Sequence, residues 1–372
     1  MVEWKKIGNL GSYFGGLTGK TKEDFQDGNA KFITYMNVFL NPSLDVNSTG
    51  VVRINEGEKQ NKVQRGDILF TGSSETPDEA GMSCVITDKI EGDYYMNSFC
   101  FGLRLDTPDS YNLHFLKHVL RSESTRKAIA KTASGVTRFN ISKARFSNIQ
   151  IPIPTISEQN RIVGILDTFT ASIENLKEQI AQRCKQFEHY RDQLLDLEGK
   201  EGVEMKKLEE ACEIRRGIRV VKKQLKDNAL YPVFQNSIAP MGYYDQFNRD
   251  GNMSYIICAG SSSGSVGYCC TPFWAADDCF TIESSKVNRR YTYYALKKNN
   301  NNLFKLVRKG SMPRLPHEAI DNMVIPIPSL QEQQRIVSIL DTFEASIANL
   351  EAQLSQREKQ YEYYRNKLLT FE

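Results

Sequence analysis

The sequence predicts an α+β protein: two globular blocks joined by two long antiparallel α-helices, which form an intramolecular coiled coil with a pseudo-two-fold internal repeat. Three observations predict it. Residues 151–195 align without a gap on residues 325–369, with 29 identities in 45 positions at an offset of 174. Each copy carries an apolar seam with a seven-residue period. The stretches outside the copies mix short strand-like runs with helical ones.

The chain of 372 residues has room for two to three folded units, and 40% hydrophobic with 10% aromatic residues is enough to build their cores. With 25% charged residues, 24 Gly and 12 Pro, wholesale disorder and fibrous architectures are excluded. No apolar run approaches the ~20 residues that span a bilayer, and Met1-Val2-Glu3-Trp4-Lys5 is not the start of a signal peptide. The expected location is cytoplasmic. Eight cysteines without a C-x-x-C pair read as reduced, buried small side chains. Four histidines (His114, His118, His189 and His317) supply little metal chemistry, and no structural zinc site is expected.

The order along the chain is a first block (1–150), a first repeat (151–198), a second block (199–324) and a second repeat (325–372). In the first block Val63–Thr71 reads as a turn into a strand and Leu113–Lys131 as helical. In the second, Tyr255–Ala259 and Val266–Cys270 read as strands and Arg290–Lys305 as helical. Each repeat opens with Ile-Pro-Ile-Pro, an extended stretch, followed by a capping-box pattern in which Thr155 precedes Glu158 and Ser329 precedes Glu332. A helix should start there. Its seam runs through Ile162, Leu166, Phe169, Ile173, Leu176, Ile180, Phe187, Tyr190 and Leu194 in the first copy. The second copy uses Ile336, Leu340, Phe343, Ile347, Leu350, Leu354, Tyr361, Tyr364 and Leu368, and both place an arginine, Arg183 or Arg357, at the equivalent seam position. About 40 residues rising 1.5 Å each give helices of roughly 60 Å, which need a partner. An antiparallel return, with one block at each end of a helical bar, is the simplest closure; the alternative is that each helix packs on its own block.

The helical repeats are acidic, −3 over 157–198 (5 basic, 8 acidic) and −2 over 332–372 (5 basic, 7 acidic). The positive charge therefore sits in the blocks. Lys286–Arg314 contains nine basic residues and no acidic one, and an earlier cluster is Arg215, Arg216, Arg219, Lys222, Lys223 and Lys226. The first block has a smaller counterpart in Arg121, Arg126, Lys127, Lys131, Arg138, Lys143 and Arg145. Clusters of one sign attract a polyanion by releasing its counterions, and nucleic acid is the usual one. Each cluster taken alone also reads as a solvated basic face.

Catalytic motifs fail on spacing. Gly15-Gly16-Leu17-Thr18-Gly19-Lys20-Thr21 lacks the first glycine of a P-loop, because position 14 is Phe14. Gly260–Gly267 (GSSSGSVG) continues into a strand rather than a helix and reads as a hairpin turn. No N-P-P-Y run is present to grip an extruded adenine, and Glu204-Met205-Lys206 lacks a nuclease's upstream aspartate.

The alternation of block and repeat, with I-P-I-P-x-x-x-E-Q-x-x-I-V-x-I-L-D at each junction, resembles the DNA-specificity (S) subunit of type I restriction-modification systems. The carrying residues are Ile325–Pro328 through Glu332-Gln333, the segment Tyr361–Leu369, Tyr231-Pro232-Val233-Phe234, Gly264–Gly267 and Phe273-Trp274. The resemblance covers essentially the whole chain. It implies that each block is a target-recognition domain and that the subunit is non-catalytic. It also implies sequence-specific binding of double-stranded DNA at an asymmetric bipartite site, with the helices as spacer and subunit-docking bar. The implied partners are two modification (methyltransferase) subunits and two restriction (endonuclease/translocase) subunits. S-adenosylmethionine, ATP and Mg would belong to those partners, and no cofactor to this chain. The expected DNA contacts are Arg138, Lys143 and Arg145 in the first block, with Arg215, Arg216, Arg219, Arg308, Lys309 and Arg314 in the second. Expected docking residues are Glu158, Gln159, Arg161, Glu332, Gln333 and Arg335. A stand-alone methyltransferase or nuclease and a single-strand or RNA-binding scaffold stay open as rivals, the latter because the second block is rich in tyrosine.

Overall fold

The structure, a computed structural model, describes residues 2–371. It forms two compact units. Unit one is the chain up to Asn175 together with the segment from Gln353 onward, and unit two is Leu176–Ala352.

Unit one opens with β1 (Val2–Lys6), β2 (Gly11–Gly15), β3 (Ala30–Ile33), α1 (Tyr35–Leu40) and β4 (Thr49–Val52). Strands β5 (Asp67–Thr71), β6 (Ser73–Ser74), β7 (Ser83–Val85), β8 (Tyr94–Met96) and β9 (Cys100–Leu105) follow. Then come α2 (Leu113–Val119), α3 (Glu123–Ala130), β10 (Ala133–Ser134), β11 (Phe139–Ile141), α4 (Lys143–Phe146), β12 (Gln150–Pro154) and the long α5 (Ile156–Leu194). The run expected as one helix over Leu113–Lys131 is two helices, because the Ser122 hydroxyl accepts from the Thr125 amide and caps a new start. Strands order as β2-β9-β5-β7 in an antiparallel sheet, with smaller sheets β4-β3-β8 and β10-β11-β6 and a ribbon β1-β12. The ribbon carries the Ile-Pro-Ile-Pro stretch, whose prolines face Trp4 and Val2 across the pair.

Strand β5 is buried on both faces and serves two cores by simple alternation. Ile68 and Phe70 enter a cluster with Phe101, Phe115, Leu116 and Phe146, whereas Leu69 faces Ile33, Val38, Ile86 and Met96. The first cluster also takes in Ile162 and Leu166 from α5, and Leu369, Tyr361 and Leu368 pack on it from the chain's end.

Unit two contains β13 (Glu204–Lys207), α6 (Leu208–Ala211), β14 (Glu213–Arg216), β15 (Tyr231–Phe234), β16 (Tyr243–Tyr244) and β17 (Met253–Ile257). It continues with β18 (Val266–Cys269), β19 (Trp274–Ala275), β20 (Cys279–Glu283), α7 (Arg289–Lys298), α8 (Asn300–Leu306), α9 (His317–Asp321), β21 (Val324–Ile327) and α10 (Leu330–Leu368). Its sheets repeat three of the four in unit one: β14-β20-β17-β18, β16-β15-β19 and the ribbon β13-β21; in place of β10-β11-β6 it has only the isolated bridges of Arg314 with Ala259 and Arg308. The central strands β3 and β15 of the corresponding sheets β4-β3-β8 and β16-β15-β19 each pair antiparallel to one neighbour and parallel to the other. The two blocks thus share one topology although they share almost no sequence. Gly260–Ser265 lies in the β17–β18 connection and Val266-Gly267 opens β18, with Gly260 and Gly264 at φ of 88° and 91°, where side chains other than glycine are strained. Lys20, the lysine of the P-loop-like run, is spent on Glu58 Oε2 and the Arg53 carbonyl, both at 2.6 Å.

In each unit the head of one long helix lies along the tail of the other, so α5 and α10 run antiparallel. Phe169 stacks on Tyr364 and Tyr190 on Phe343, both with ring centroids 5.3 Å apart. Arg357 lies over Phe169 and Arg183 over Phe343 at 5.7 and 5.8 Å, so the seam arginines are held by cation–π contact. The seam expectation needs one correction. Tyr190 and Tyr364 are 44% and 40% exposed, since each covers its phenylalanine with one face and leaves the other to water. Ile173, Ile180, Ile347, Leu350 and Leu354 are only partly buried, as a two-helix seam with no third layer leaves its edges open. The alternative closure also holds in part: both helices contribute to block cores as well as to each other.

Candidate nucleic-acid interface

At the junction between block and long helix the two units share one glutamine anchor. In unit one Gln159 Oε1 accepts from the Asn112 amide at 2.9 Å while its Nε2 donates to the Pro154 carbonyl at 2.8 Å. In unit two Gln333 does the same for Asn288 and Pro328, both at 2.8 Å. These glutamines are 2% and 1% exposed. They anchor the helix start internally and are withdrawn from the expected docking set, because a partner could reach them only by breaking two buried hydrogen bonds. Two turns on, Asp167 accepts from Lys117 Nζ and His118 Nε2, both at 2.9 Å. Its counterpart Asp341 accepts from Arg290 Nε at 2.7 Å and the Tyr294 hydroxyl at 2.5 Å. Burial would raise the Asp167 carboxyl, but the hydrogen bonds from His118 and Lys117 hold it well below its ordinary value.

Glu158, Arg161, Glu332 and Arg335 remain accessible at the helix starts. Each pair is a bidentate ion pair with contacts of 2.7–2.8 Å. The expected capping boxes are therefore changed. The Ser329 hydroxyl caps the Glu332 amide at 3.3 Å, but the Glu332 carboxylate turns to Arg335, whose charged fork binds it more strongly than a neutral amide would.

The basic clusters divide into internal and external members. Arg121 donates to the carbonyls of Ser83, Val38, Phe39, Leu40 and Asn41, and Arg126 to those of Gly81, Asp78 and Ala80. Burial pushes both guanidinium groups down to about 10, which leaves them charged but committed to the fold. Arg290 lies between the rings of Tyr268, Tyr293 and Tyr294 and pairs with Asp341 and Glu344, while Lys297 and Lys298 donate to the Val266 and Leu195 carbonyls. Within 286–314 the exposed cations are Lys286, Lys305, Arg308, Lys309 and Arg314.

All nine expected DNA contacts are exposed. Arg138 stands at the foot of the β10–β11 hairpin, with its guanidinium 5.4 Å over Phe99 and Nε donating to Ser73 Oγ at 3.0 Å. Lys143 and Arg145 follow on α4, the first over Phe101 and the second within 3.5 Å of the Lys131 carbonyl. Arg308 and Arg314 form an antiparallel bridge that closes a tight loop around Lys309, and Arg314 reaches Asp278 at 3.1 Å. Arg216 donates to the Asp277 carbonyl at 2.9 Å, and Arg219 is exposed beyond it. Arg215 is different. Both Glu213 oxygens hold it at 2.6 Å and Glu283 lies at 3.5 Å, so its charge is already matched. The sequence reading missed Phe99 and Ser73, which orient Arg138, and Arg249, which donates to the Arg216 carbonyl at 2.9 Å. Each lies more than 30 residues from its partner, so no local pattern announces it. Among the described residues no three His, Cys, Asp or Glu side chains are placed to hold a metal ion, and no helix is long and apolar enough to cross a membrane.

Each unit is an α+β block with its own set of exposed basic side chains, and the main sheet order of one recurs in the other. The chain matches the profile of the type I restriction modification DNA specificity domain over residues 1–185 and 200–358, and it belongs to that family. It is a type I specificity subunit. It is 28% identical over 274 residues to the EcoR124I/EcoR124II specificity subunit of Escherichia coli, covering 61% of this chain and 65% of that one. A Haemophilus influenzae protein named as a type I restriction enzyme specificity subunit is 29% identical over 301 residues, 71% of this chain and 73% of that one. The fold matches the crystal structure of the S subunit from M. genitalium with a TM-score of 0.62 at 18% identity, covering 100% of this chain and 97% of that one. A chain from a study of type I complex assembly gives a TM-score of 0.60 at 15% identity, over 99% and 97% of the two chains.

Proposed function

We propose that unit one and unit two each read one half of an asymmetric, split duplex DNA site, with α5 and α10 setting the unread gap between the halves. The single observation that carries this reading is the repetition of one sheet topology with two different exposed sets of basic side chains. A common scaffold docks in a common way, and unlike surfaces select unlike sequences. The basic residues supply phosphate contacts that position each block; base edges are read by neighbouring loop side chains.

Two modification subunits and two restriction subunits are the partners in this reading, and they bring S-adenosylmethionine, ATP and Mg. The exposed Glu158–Arg161 and Glu332–Arg335 pairs, repeated at both helix starts, are the docking handles we assign to the modification subunits. The compartment is the cytoplasm, where the DNA is.

The test is to coexpress the chain with the modification subunit encoded beside it, methylate a random duplex library and map N6-methyladenine by sequencing. A split motif methylated on both strands is the expected result. Methylation by a stable complex without sequence preference would remove the recognition role.

A further inference from the structure

We propose that the hairpin 133–141 in unit one and the loop 308–314 in unit two are the base-reading elements of this subunit, each inserting its apolar tip into the major groove of duplex DNA. The inference rests on the split-site reading above and names the segments that do the reading.

The two elements occupy the same place in the repeated topology. Strand β11 pairs Phe139 and Asn140 with Ser74 and Ser73, just beyond the end of the central strand β5. Arg314 pairs with Ala259, just beyond the end of the central strand β17, and closes its loop against Arg308 with reciprocal bonds of 2.9 and 3.1 Å. In unit one the loop Gly135–Arg138 is short enough that a Cβ on Gly135 would lie 1.9 Å from the Arg138 carbonyl, and its φ of +154° is one that only glycine adopts readily. Both are short loops tied back by backbone pairing, the first to a sheet and the second through isolated bridges.

Their tips are unexplained by the fold. Val136 is 91% exposed and Met312 66% exposed, so neither contributes to a core. One exposed apolar side chain needs no explanation. Here one stands at the tip of each of two equivalent projections, and each is flanked by cations: Arg138 in unit one, Arg308 and Lys309 in unit two. An apolar point beside cations is complementary to the major groove, whose walls are phosphates and whose floor offers thymine methyl groups and amine and carbonyl edges. A two-stranded ribbon fits that groove. The small hydroxyls Thr137 and Ser311, both exposed, stand beside the apolar tips and can bond to base edges of either polarity. An acidic peptide would also satisfy the cations, but it would not account for an exposed apolar side chain beside them at both places.

The test uses the full chain with its modification subunit and the random-library methylation assay, comparing wild type with Val136→Ser/Thr137→Ala and with Ser311→Ala/Met312→Ala. Both tips are solvent-exposed, and unchanged circular dichroism and melting temperature will establish that the variants fold. The first variant should relax or change the motif at one half-site by about tenfold in discrimination, the second at the other half-site, each leaving the remaining half and the gap intact. If both variants retain the wild-type motif, or lose binding equally on all sequences, the hairpins are not base readers and the proposal falls while the split-site reading stands. If the wild type itself yields no motif, the split-site reading falls, and the hairpin assignment with it.

Discussion

His118 is one of the side chains by which the two junctions differ around their shared aspartate. It sits where unit two has Tyr294, and it faces Asp167, Lys117, His114 and the Tyr361 hydroxyl, with Arg365 beside Tyr361. Burial holds its pKa below the ordinary 6.5, against the hydrogen bond it donates to Asp167, which favours the proton. A base whose folded pKa is depressed is protonated more readily in the unfolded chain, so stability falls as pH drops from 6.5 through the lower folded value. Asp167 adds a second loss, since a depressed carboxyl gives stability that disappears below its ordinary 3.8. Thermal melts of the full chain between pH 7.5 and 5 should therefore show a loss of stability that is reduced in His118→Tyr. Equal loss in wild type and variant would show that the imidazole does not drive it. The position of the helix start at this junction was readable from Thr155, because such signals are local, although Glu158 pairs with Arg161 instead of closing the box. The role of Gln159 was not, since its partners Asn112 and Pro154 meet it only after the block has folded.

The long helices follow directly from their seven-residue period, and the antiparallel pairing from the short connection between first helix and second block. Their middle seam is less buried than the pattern alone suggests, and their ends more so, because Ile162, Leu166, Ile336 and Leu340 leave the two-helix seam for block cores. Removing one heptad from the middle of each helix should preserve both cores and shorten each rod by about 10 Å, close to three base pairs of duplex. The methylation assay should then return the same two half-sites with a gap smaller by about three base pairs. An unaltered gap would refute the spacer role of the helices. By contrast, the basic run 286–314 read as one feature in sequence but is divided in space: α7 turns Arg290, Lys297 and Lys298 toward the core, whereas Lys286 before it and Lys305, Arg308, Lys309 and Arg314 after it face water.

For the molecule as a whole, the formal charge of +3 conceals an uneven distribution: acidic helices, a mildly basic first block and a second block of +6 (19 basic, 13 acidic) with its linkers. Polyanion binding through that second block should weaken steeply with salt. Replacing Arg216 or Lys309 with alanine should lower the log–log salt slope by about one each, whereas Arg215→Ala should change it least, because Glu213 already balances that charge. Fluorescence anisotropy of the complex on its own split site, from 50 to 300 mM salt, measures this; equal slopes for all three variants would mean the basic face is not the DNA face.

The internal repeat, the helical period, the junction caps and the charge bias are patterns along the chain, set by covalent spacing, and they were enough to identify the family and the α+β class. Which arginines are free for a ligand was settled by folding. Arg121 and Arg126 look identical in sequence to Arg138, yet the first two meet rings of carbonyls contributed by segments 38 to 83 residues away, and a buried carbonyl without a donor costs too much to leave unpaired. The shared sheet order of the two blocks was equally hidden, because a topology depends on which strands pair across long loops, and alternation of apolar residues records burial but not the identity of the neighbour.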